Sequence, residues 1–276
     1  MKNIKKIIGY FINRERKCYY TEKLIGVDVR VLKNTIRTKV DQDDAWFFHL
    51  AKNAETIFDI GSNTGYMSLL AAIQPNIQKI ILVDPNPEAL AKASQNLIIN
   101  GFGYKTKFIS AFMGDKDGEK IKFYTVGTGA AGSMFKGHAE TAAAMNSSYM
   151  VEQLTIDALV EQVKFVPSLI KIDIEGAESF ALKGAVKTAS FGKSKFMIEM
   201  HSPPELPMIE NATRVISWCE QNKYKAFYMK EGRQILNSDP IALRGKCHLL
   251  LLPDGETYPE YLREIPQGGV LPNSVY

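Results

Sequence analysis

Thr56-Ile-Phe-Asp-Ile-Gly-Ser-Asn-Thr-Gly-Tyr66 runs from a short apolar stretch through two glycines into a second apolar segment. This order is typical of a buried parallel strand, a tight turn and a helix. The N-terminus of such a helix presents unpaired backbone N–H groups, so the turn is a candidate site for a nucleotide-like cofactor. Dinucleotide binders carry G-x-G-x-x-G, but Asn63 and Tyr66 stand at the second and third glycine positions. We therefore expect S-adenosylmethionine, which has no pyrophosphate, rather than NAD.

Outward from this turn, short β-rich runs alternate with longer helical segments. The seven predicted strands are Thr56 to Ile60, Lys79 to Val83, Lys105 to Met113, Ser168 to Asp173, Lys195 to Met200, Lys223 to Met229 and Lys246 to Leu252. This alternation predicts an α/β fold with a doubly wound, seven-stranded, mostly parallel sheet of the Rossmann-like type.

The chain is divided by its sequence pattern into three parts. Residues 1–55 are expected to form an N-terminal elaboration, with a basic helix, a hairpin around Lys23 to Leu32 and a helix that holds Trp46. Residues 56–252 form the α/β domain. Residues 253–276 are rich in proline and glycine and are expected to be an extended tail.

A long insertion interrupts the α/β rhythm of the predicted domain. Lys120 to Tyr124 reads as an extra strand, and residues 127–150 have no clear period. A segment of this length inside a compact domain favours a lid or a binding loop over inert packing.

Charge and cysteine content restrict the class of protein. The net charge is +4, but residues 1–40 carry 11 Lys/Arg and 3 Asp/Glu, so a basic arm precedes a mildly acidic body. A solvated helix explains such an arm better than contact with a membrane or nucleic acid, and neither partner is expected. The apolar run Ile7 to Ile12 is too short for a membrane span or a signal sequence. With only Cys18, Cys219 and Cys247, far apart, we expect a cytoplasmic protein with reduced thiols.

Two acidic residues stand where a cofactor would lie. Asp84 ends the second strand, one βαβ step after Asp59, and is placed to accept hydrogen bonds from both ribose hydroxyls. Asp59 is expected to order the glycine turn or, through water, to hold the ammonium of an amino-acid cofactor. Asn86 is predicted to cap the helix that begins at Pro87. Ala111, at the end of the third strand, offers small apolar surface for an adenine ring.

Four motifs together resemble the FkbM family of S-adenosylmethionine-dependent methyltransferases and cover about residues 56–200. They are Phe58-Asp-Ile-Gly-Ser-Asn-Thr-Gly-Tyr66, Val83-Asp-Pro-Asn-Pro87, Gln95-Asn-Leu-Ile-Ile-Asn100, and Ile170-Lys-Ile-Asp-Ile-Glu-Gly-Ala-Glu178 with Leu182-Lys-Gly184. The resemblance implies a class I methyltransferase fold, S-adenosylmethionine as the donor, and usually O-methylation of a hydroxyl on a sugar or natural product. The cofactor contacts that it implies are Gly61, Asn63, Gly65, Asp84 and Asn86. Asp84 and Ser62 depart conservatively from the Glu and Ala that family members often carry.

The candidate residues for chemistry follow the fourth and fifth strands. The carboxyl ends of parallel strands face one crevice, so Asp173, Glu175, Glu199 and His201 are expected to share it with the glycine turn. His201 is the first candidate for the general base, and Glu199 is its expected orienting partner. Asp173 is the second candidate, or it binds the substrate hydroxyl or the cofactor ammonium. Glu175 is expected to cap the following helix, and alignment alone could carry much of the rate.

Several alternatives remain open from the sequence. These four acidic and imidazole side chains fit a divalent metal by ligand type, but no local spacing demands one, and no metal is predicted. His138 is a further candidate for the crevice, whereas His49 and His248 are expected to pack or face solvent. The expected acceptor is a hydroxyl of a small molecule or glycan. The alternatives are a nucleic-acid methyltransferase, which the missing Asp/Asn-Pro-Pro-aromatic run disfavours, and a non-catalytic S-adenosylmethionine-binding protein.

Overall fold

The computed structural model describes residues 19–37, 41–127, 132–265 and Leu271. The strands are β1 (Tyr19–Leu24), β2 (Val27–Leu32), β3 (Thr56–Ile60), β4 (Lys79–Val83), β5 (Thr106–Ile109), β6 (Phe112–Met113), β7 (Lys120–Tyr124), β8 (Ser148–Leu154), β9 (Leu169–Ile172), β10 (Lys195–His201), β11 (Tyr224–Tyr228), β12 (Arg233–Ile235) and β13 (Lys246–Pro253). The helices are α1 (Gln42–Lys52), α2 (Tyr66–Ala72), α3 (Pro87–Ile99), α4 (Glu140–Ala144), α5 (Ile156–Val163), α6 (Glu178–Lys183), α7 (Val186–Ser190), α8 (Met208–Asn222) and α9 (Glu260–Arg263). The basic helix predicted near the N-terminus lies outside the described residues.

The main sheet has the strand order β12-β11-β13-β10-β9-β3-β4-β5. The strands from β10 to β5 are parallel, and β13 runs antiparallel between β10 and β11. Because both faces of the central strands are covered, Ile57, Phe58 and Ile60 are completely buried. The prediction of a doubly wound, mostly parallel sheet is confirmed, but the sheet has eight strands, since Arg233–Ile235 adds an edge.

The chain reverses its direction across the sheet between β3 and β9. From β3 it moves outward through β4 to β5, and after the insertion it returns to β9 and moves outward through β10. This reversal is the topological switch point, where open α/β sheets bind ligands at the carboxyl ends of their strands. The fold therefore places the crevice beside the turn after β3.

The predicted third strand, 105–113, was wrong in its extent. β5 ends at Ile109, and β6 leaves the main sheet to pair with β8. Strands β6, β8 and β7 form a second, three-stranded sheet, so the prediction of a strand at Lys120–Tyr124 is confirmed as β7. The segment 127–150 is not a loop throughout, because α4 and the start of β8 lie within it.

The N-terminal elaboration shares the core of the α/β domain. The predicted hairpin is present, and its two-residue turn at Ile25-Gly26 has positive φ at both residues, as the tightest hairpins require. Helix α1 begins at a capping box of Asp41 and Asp44. Its aromatic residues pack in one cluster with residues of the hairpin and of α2.

Asn96 of α3 and Asn100, the C-cap residue of that helix, hold strand β2 of the hairpin. The backbone N–H of Leu32 donates to Asn96 Oδ1 at 2.9 Å, and that of Arg30 donates to Asn100 Oδ1 at 2.8 Å. Asn100 Nδ2 donates back to the Arg30 carbonyl at 2.7 Å. One turn of helix thus completes the hydrogen bonds of an otherwise open strand edge.

The sequence predicted an extended C-terminal tail, but the described part of this segment is not simply extended. It contains the short helix α9, and Tyr258 and Leu262 are buried in the same cluster as the hairpin. Cys219 and Cys247 are free thiols, as expected. Among the described residues, every helix is too short or too polar to cross a bilayer.

Candidate active site

The turn after β3 is shaped by close contact between protein atoms. Gly61 has φ +76°, and a Cβ built there would lie 1.8 Å from the carbonyl oxygen of Asp173. Gly65 begins α2 with φ +82°, and its Cβ would lie 2.8 Å from the Cβ of Ala93 in α3. Asn63 between them also has a positive φ, of +47°. The two glycines are therefore required by the packing of β9 and α3, and the sequence argument that they clear space for a ligand was incomplete.

An open cleft with about 640 Å³ of empty space lies at the carboxyl ends of β3 and β4. Five of the seven predicted cofactor residues line it, namely Gly61, Asn63, Asp84, Asn86 and Ala111. Asp173 and Glu175 line its other end. Gly65 and Asp59 are not among the lining residues.

Asp84 is held by the backbone on both sides of its carboxylate. The N–H of Asn63 donates to Oδ2 at 2.7 Å, and the N–H of Asn86 donates to Oδ1 at 2.8 Å. Only 7% of the residue is exposed. Burial raises the pKa of Asp84 to about 6, although the two N–H groups oppose this shift. The carboxylate thus fixes the glycine turn and keeps one lone-pair site on each oxygen.

Asn86 caps α3 as predicted, and its side chain is fully used. Oδ1 accepts from the N–H groups of Glu88 and Ala89, and Nδ2 donates to the carbonyl of Gly127 at 2.8 Å. The residue joins the start of the insertion to the segment between β4 and α3. Its backbone is engaged as well, since the N–H donates to Asp84 and the carbonyl accepts from the N–H of Leu90. Its contact with a cofactor therefore stays a prediction.

Asp59 is completely buried and is neutralised inside the protein. Its Oδ2 accepts from Ser68 Oγ at 2.6 Å, and its Oδ1 lies 3.5 Å from Lys171 Nζ on the neighbouring strand β9. Burial would lower the pKa of Lys171, but the carboxylates of Asp173 and Asp59 raise it above its ordinary value. Asp59 therefore holds a buried lysine, and the alternative of a ligand ammonium finds no support in its position.

His201 has a different partner from the one predicted. Its Nδ1 lies 3.0 Å from Oε1 of Glu178, which is completely buried, whereas Glu199 lies 3.7 Å from Nε2. Burial opposes the charged imidazolium, but the hydrogen bond and the charge of Glu178 raise the pKa of His201 to about 9. An imidazole that is protonated near neutral pH is poorly suited as a general base. The structure disfavours His201 for that role.

Glu199 is paired with residues of β13. Lys246 Nζ contacts its Oε1, and His248 Nε2 lies 3.5 Å from its Oε2. Burial alone would raise the pKa of Glu199, but His248, Lys246 and His201 lower it well below its ordinary value. The predicted role of Glu199 as the orienting partner of His201 is wrong, since Glu178 has that position.

Asp173 is the acid that borders open space on both sides of the glycine turn. It is 22% exposed, lies 3.3 Å from Lys171 Nζ, and lines the main cleft and a second cleft on the other side of the glycine turn. Burial raises its pKa to about 6, while the charge of Lys171 opposes the shift and that of Glu199 adds to it. Strand alternation correctly predicted that Lys171 and Asp173 project together.

Glu175 does not cap the following helix, contrary to prediction. Helix α6 begins without a side-chain cap, and Glu175 Oε2 lies 2.5 Å from His138 Nε2. The insertion therefore reaches the site, since Ser133 Oγ also donates to the Glu175 carbonyl at 2.8 Å. Burial would raise the pKa of Glu175, but the hydrogen bond from His138 lowers it. His138 enters the crevice as proposed from the sequence.

The remaining histidines pack inside the protein and do not line the cleft, although His248 contacts Glu199. His248 lies edge-on to Trp46, and His49 lies edge-on to Phe48 and tilted against Tyr261. Glu178 is a site residue that was not predicted from the sequence. Its presence in the motif that follows β9 was the available signal.

A comparison with models of protein families finds one family for this chain. A model of the methyltransferase FkbM domain matches residues 59–226, more than half of the sequence. The chain belongs to the FkbM methyltransferase family. Membership of this family implies S-adenosylmethionine as the methyl donor. The main sheet described above is the doubly wound, mostly parallel sheet that the sequence predicted. The matched range contains the glycine turn, Asp84 and the acidic ends of β9 and β10.

The solved structures that this FkbM protein matches include several methyltransferases, at low identity. The methyltransferase FkbM from Methylobacillus flagellatus has 17% identity and a TM-score of 0.45, covering 72% of this chain and 44% of its own. TYW2 of M. jannaschii, solved in complex with AdoMet, has 12% identity and a TM-score of 0.44. The match covers 86% of this chain and 85% of TYW2. A putative rRNA-methylase from Clostridium thermocellum has 9% identity and a TM-score of 0.48, covering 80% and 99%. The chain spans less than half the length of the first of these, and no curated protein matches it.

Proposed function

We propose that this protein transfers a methyl group from S-adenosylmethionine to a hydroxyl oxygen of a sugar, glycan or other small molecule. The family supplies the cofactor and the transfer of a methyl group. The observation that carries the rest is the cleft itself, which has Asp84 at one end and Asp173 with Glu175 at the other. The cytoplasmic location predicted from the sequence is part of this proposal.

The residues of the cleft fit the proposed cofactor. Asp84 has one free acceptor position on each carboxylate oxygen, which matches the two hydroxyls of a ribose. Ala111 and the adjacent Phe112 give the same end a small apolar wall. When bound, S-adenosylmethionine supplies an electrophilic methyl carbon on a sulfonium, and the C–S electron pair stays with sulfur as S-adenosylhomocysteine leaves.

Asp173 is the group that we assign to the acceptor. It borders both clefts, so a hydroxyl that enters from the second cleft meets its carboxylate. As the hydroxyl oxygen bonds to the methyl carbon, its proton passes to Asp173. The second cleft has about 730 Å³ of empty space and is lined by Asn34 to Arg37, Tyr66 and Lys171. Of these, the exposed Asn34 and Arg37 offer amide and cationic groups to a polar acceptor, whereas Lys171 is buried and paired with Asp59 and Asp173.

Methyl incorporation from labelled S-adenosylmethionine into a panel of hydroxylated sugars and polyols tests the proposal. We expect Asp173→Asn to lower transfer by about 100-fold or more, since general-base groups contribute factors of this size. Its affinity for S-adenosylmethionine should change little. Glu210→Gln, which changes an exposed carboxylate on α8, is the matched control and should keep full activity.

Transfer to RNA or DNA with no transfer to any hydroxylated small molecule would overturn the assignment in favour of a nucleic-acid methyltransferase. Tight cofactor binding without transfer to any acceptor, unchanged in Asp173→Asn, would instead indicate a binding protein.

Cofactor affinity should depend on pH through Asp84. Because its pKa is about 6, the carboxylate becomes protonated as the pH falls below that value, and it then loses one of its hydrogen-bond acceptor sites. The dissociation constant of S-adenosylmethionine should rise roughly tenfold between about pH 7.5 and about pH 5, the factor expected when one essential ionisation is lost. Calorimetric titration at the two pH values measures this. Asp84→Asn should bind weakly at both, and an equal pH dependence in that variant would assign the effect to another group.

A further inference from the structure

We propose that His138, Glu175 and His201 form a binding site for a divalent transition-metal ion. One ligand atom from each, His138 Nε2, Glu175 Oε2 and His201 Nε2, lies within 4.8 Å of the others. The three residues come from different parts of the fold: the insertion, the segment after β9 and the end of β10. The sequence placed all three residues at one crevice, but it could not show that their ligand atoms converge, because His138 stands in a segment without a clear period.

The distances between the ligand atoms suit a metal. Metal–nitrogen and metal–oxygen bonds of about 2.1 Å separate neighbouring ligand atoms by roughly 3.0–3.4 Å. His201 Nε2 lies 3.3 Å from Glu175 Oε2. His138 Nε2 lies 2.5 Å from the same oxygen and needs to move outward by roughly 0.5–1 Å to meet this spacing. Its partly exposed side chain on the insertion is the one of the three best able to move.

The setting of His201 is an independent indication of a cation. The residue is 6% exposed, and its Nδ1 lies 3.0 Å from Glu178 Oε1. Glu178 is in turn fixed by the N–H of Gly176 and by Asn211 Nδ2, both at 2.9 Å. A carboxylate that orients the far nitrogen of a histidine is the usual support behind a metal-binding imidazole.

The other ring nitrogen points into the cluster. Among the hydrogen bonds of the described residues, none uses His201 Nε2. Oxygen atoms of Glu175, Glu199 and Asp173 lie 3.3, 3.7 and 4.0 Å from it. A ring nitrogen that faces acidic oxygens without a hydrogen bond is placed as a ligand, and an ion bound there would displace the proton that His201 carries near neutral pH.

The charges around the cluster favour Glu175 over its neighbours as the carboxylate ligand. Asp173 shares Lys171 with Asp59, and Glu199 contacts Lys246. In the described part of the chain, the ion pairs of Glu175 are with histidines alone. Its carboxylate is therefore available to a metal, and Asp173 remains free to take a proton.

The ligand types identify the class of ion. Two imidazoles and one carboxylate suit manganese, iron, cobalt or zinc better than magnesium or calcium, which prefer oxygen ligands alone. Glu175 borders the main cleft, so the remaining coordination positions open towards it. If the proposed function holds, the ion would bind the acceptor hydroxyl oxygen, lower its pKa and ease the transfer of its proton to Asp173. This role rests on the proposed function, whereas metal binding does not.

Titration of the full chain, freed of metal by a chelator, with Mn²⁺ tests the site without cofactor or acceptor. Electron paramagnetic resonance reports bound Mn²⁺, and Zn²⁺ is titrated in parallel by calorimetry. We expect about one high-affinity site, weakened about 10- to 100-fold in His138→Ala and in Glu175→Gln. These variants alter partly exposed side chains, so their folding is expected to be preserved. His49→Ala removes a histidine of α1 and should bind as the wild type does.

Equal binding of Mn²⁺ by the wild type and His138→Ala, or no binding at millimolar concentration, would overturn the metal site. Methyl transfer to a hydroxyl that persists fully in chelator would also overturn its role while leaving the proposed function intact. Conversely, site-specific binding without transfer to any hydroxyl would support the metal site and contradict the proposed function.

Discussion

Asp84→Ala is expected to weaken the binding of S-adenosylmethionine by about 100-fold or more. The variant loses two hydrogen bonds to a charged acceptor, each worth about 1.5–3 kcal/mol, and a factor of 100 corresponds to about 2.8 kcal/mol. It also frees the N–H groups of Asn63 and Asn86, which loosens the turn that borders the cleft. Calorimetric titration measures the loss.

The matched control for this variant is Glu88→Ala. Glu88 is an exposed carboxylate in the first turn of α3, four residues from Asp84 and outside the cleft lining. Its removal should change affinity by less than about twofold, as expected for an exposed charge away from the ligand. A dissociation constant for Asp84→Ala within a few-fold of the wild type, in a protein that remains folded by circular dichroism, would refute the assignment of Asp84 to the ribose.

Gly61→Ala is expected to destabilise the fold more than any other single methyl addition discussed here. The new Cβ would lie 1.8 Å from the backbone oxygen of Asp173, so β3 and β9 would have to separate at their carboxyl ends. We expect a loss of more than about 4 kcal/mol, or no soluble protein, since such values arise when a core contact is overpacked. Thermal unfolding measures the effect.

Gly101→Ala is the matched control for the cost of the backbone conformation alone. Gly101 has φ +80°, close to the +76° of Gly61, but a Cβ there meets no atom within 4 Å. Its substitution should cost about 1–2 kcal/mol and lower Tm by only a few degrees. If the two variants unfold at the same temperature, the contact between Gly61 and β9 is not what requires the glycine.

The elements that depend on local sequence signals were predicted well. Asn86 followed by Pro87 marks the start of α3, and the structure shows the expected cap. The position of Asp84 follows from one βαβ step, which is a nearly constant length. Local propensity also predicts β3, whose bounds Thr56–Ile60 agree with the structure.

The break between β5 and β6 could not be predicted in the same way. The run from Lys105 to Met113 has β-favouring residues on both sides of Ser110-Ala111, and two small residues alone do not predict a division. The division occurs because Phe112 and Met113 find a partner in β8, about 40 residues later in the chain. Only the tertiary pairing decides where the strand leaves the main sheet.

The partners of the acidic residues depend on contacts between distant parts of the chain. Strand alternation places Glu199 and His201 on one side, but it does not show that Glu178 approaches from α6 and takes Nδ1. The burial of Asp59 against Lys171 requires the register of β3 with β9. Residue types thus indicated which groups share the crevice, while packing determined which of them pair.

The asparagine contacts between α3 and the hairpin make residues 19–37 a unit that could be exchanged between related enzymes. A hairpin taken from a related protein would need one backbone N–H group opposite Asn100, where Arg30 stands, and one opposite Asn96, where Leu32 stands. Thr35, at the exit of the hairpin, accepts from Thr64 through its carbonyl and from Asn96 through its hydroxyl, which fixes the wall of the second cleft. A chimaera that keeps these attachment points would carry a new wall to the second cleft while leaving the cofactor turn in place. Under the proposed function, grafting one hairpin would therefore change the choice of acceptor.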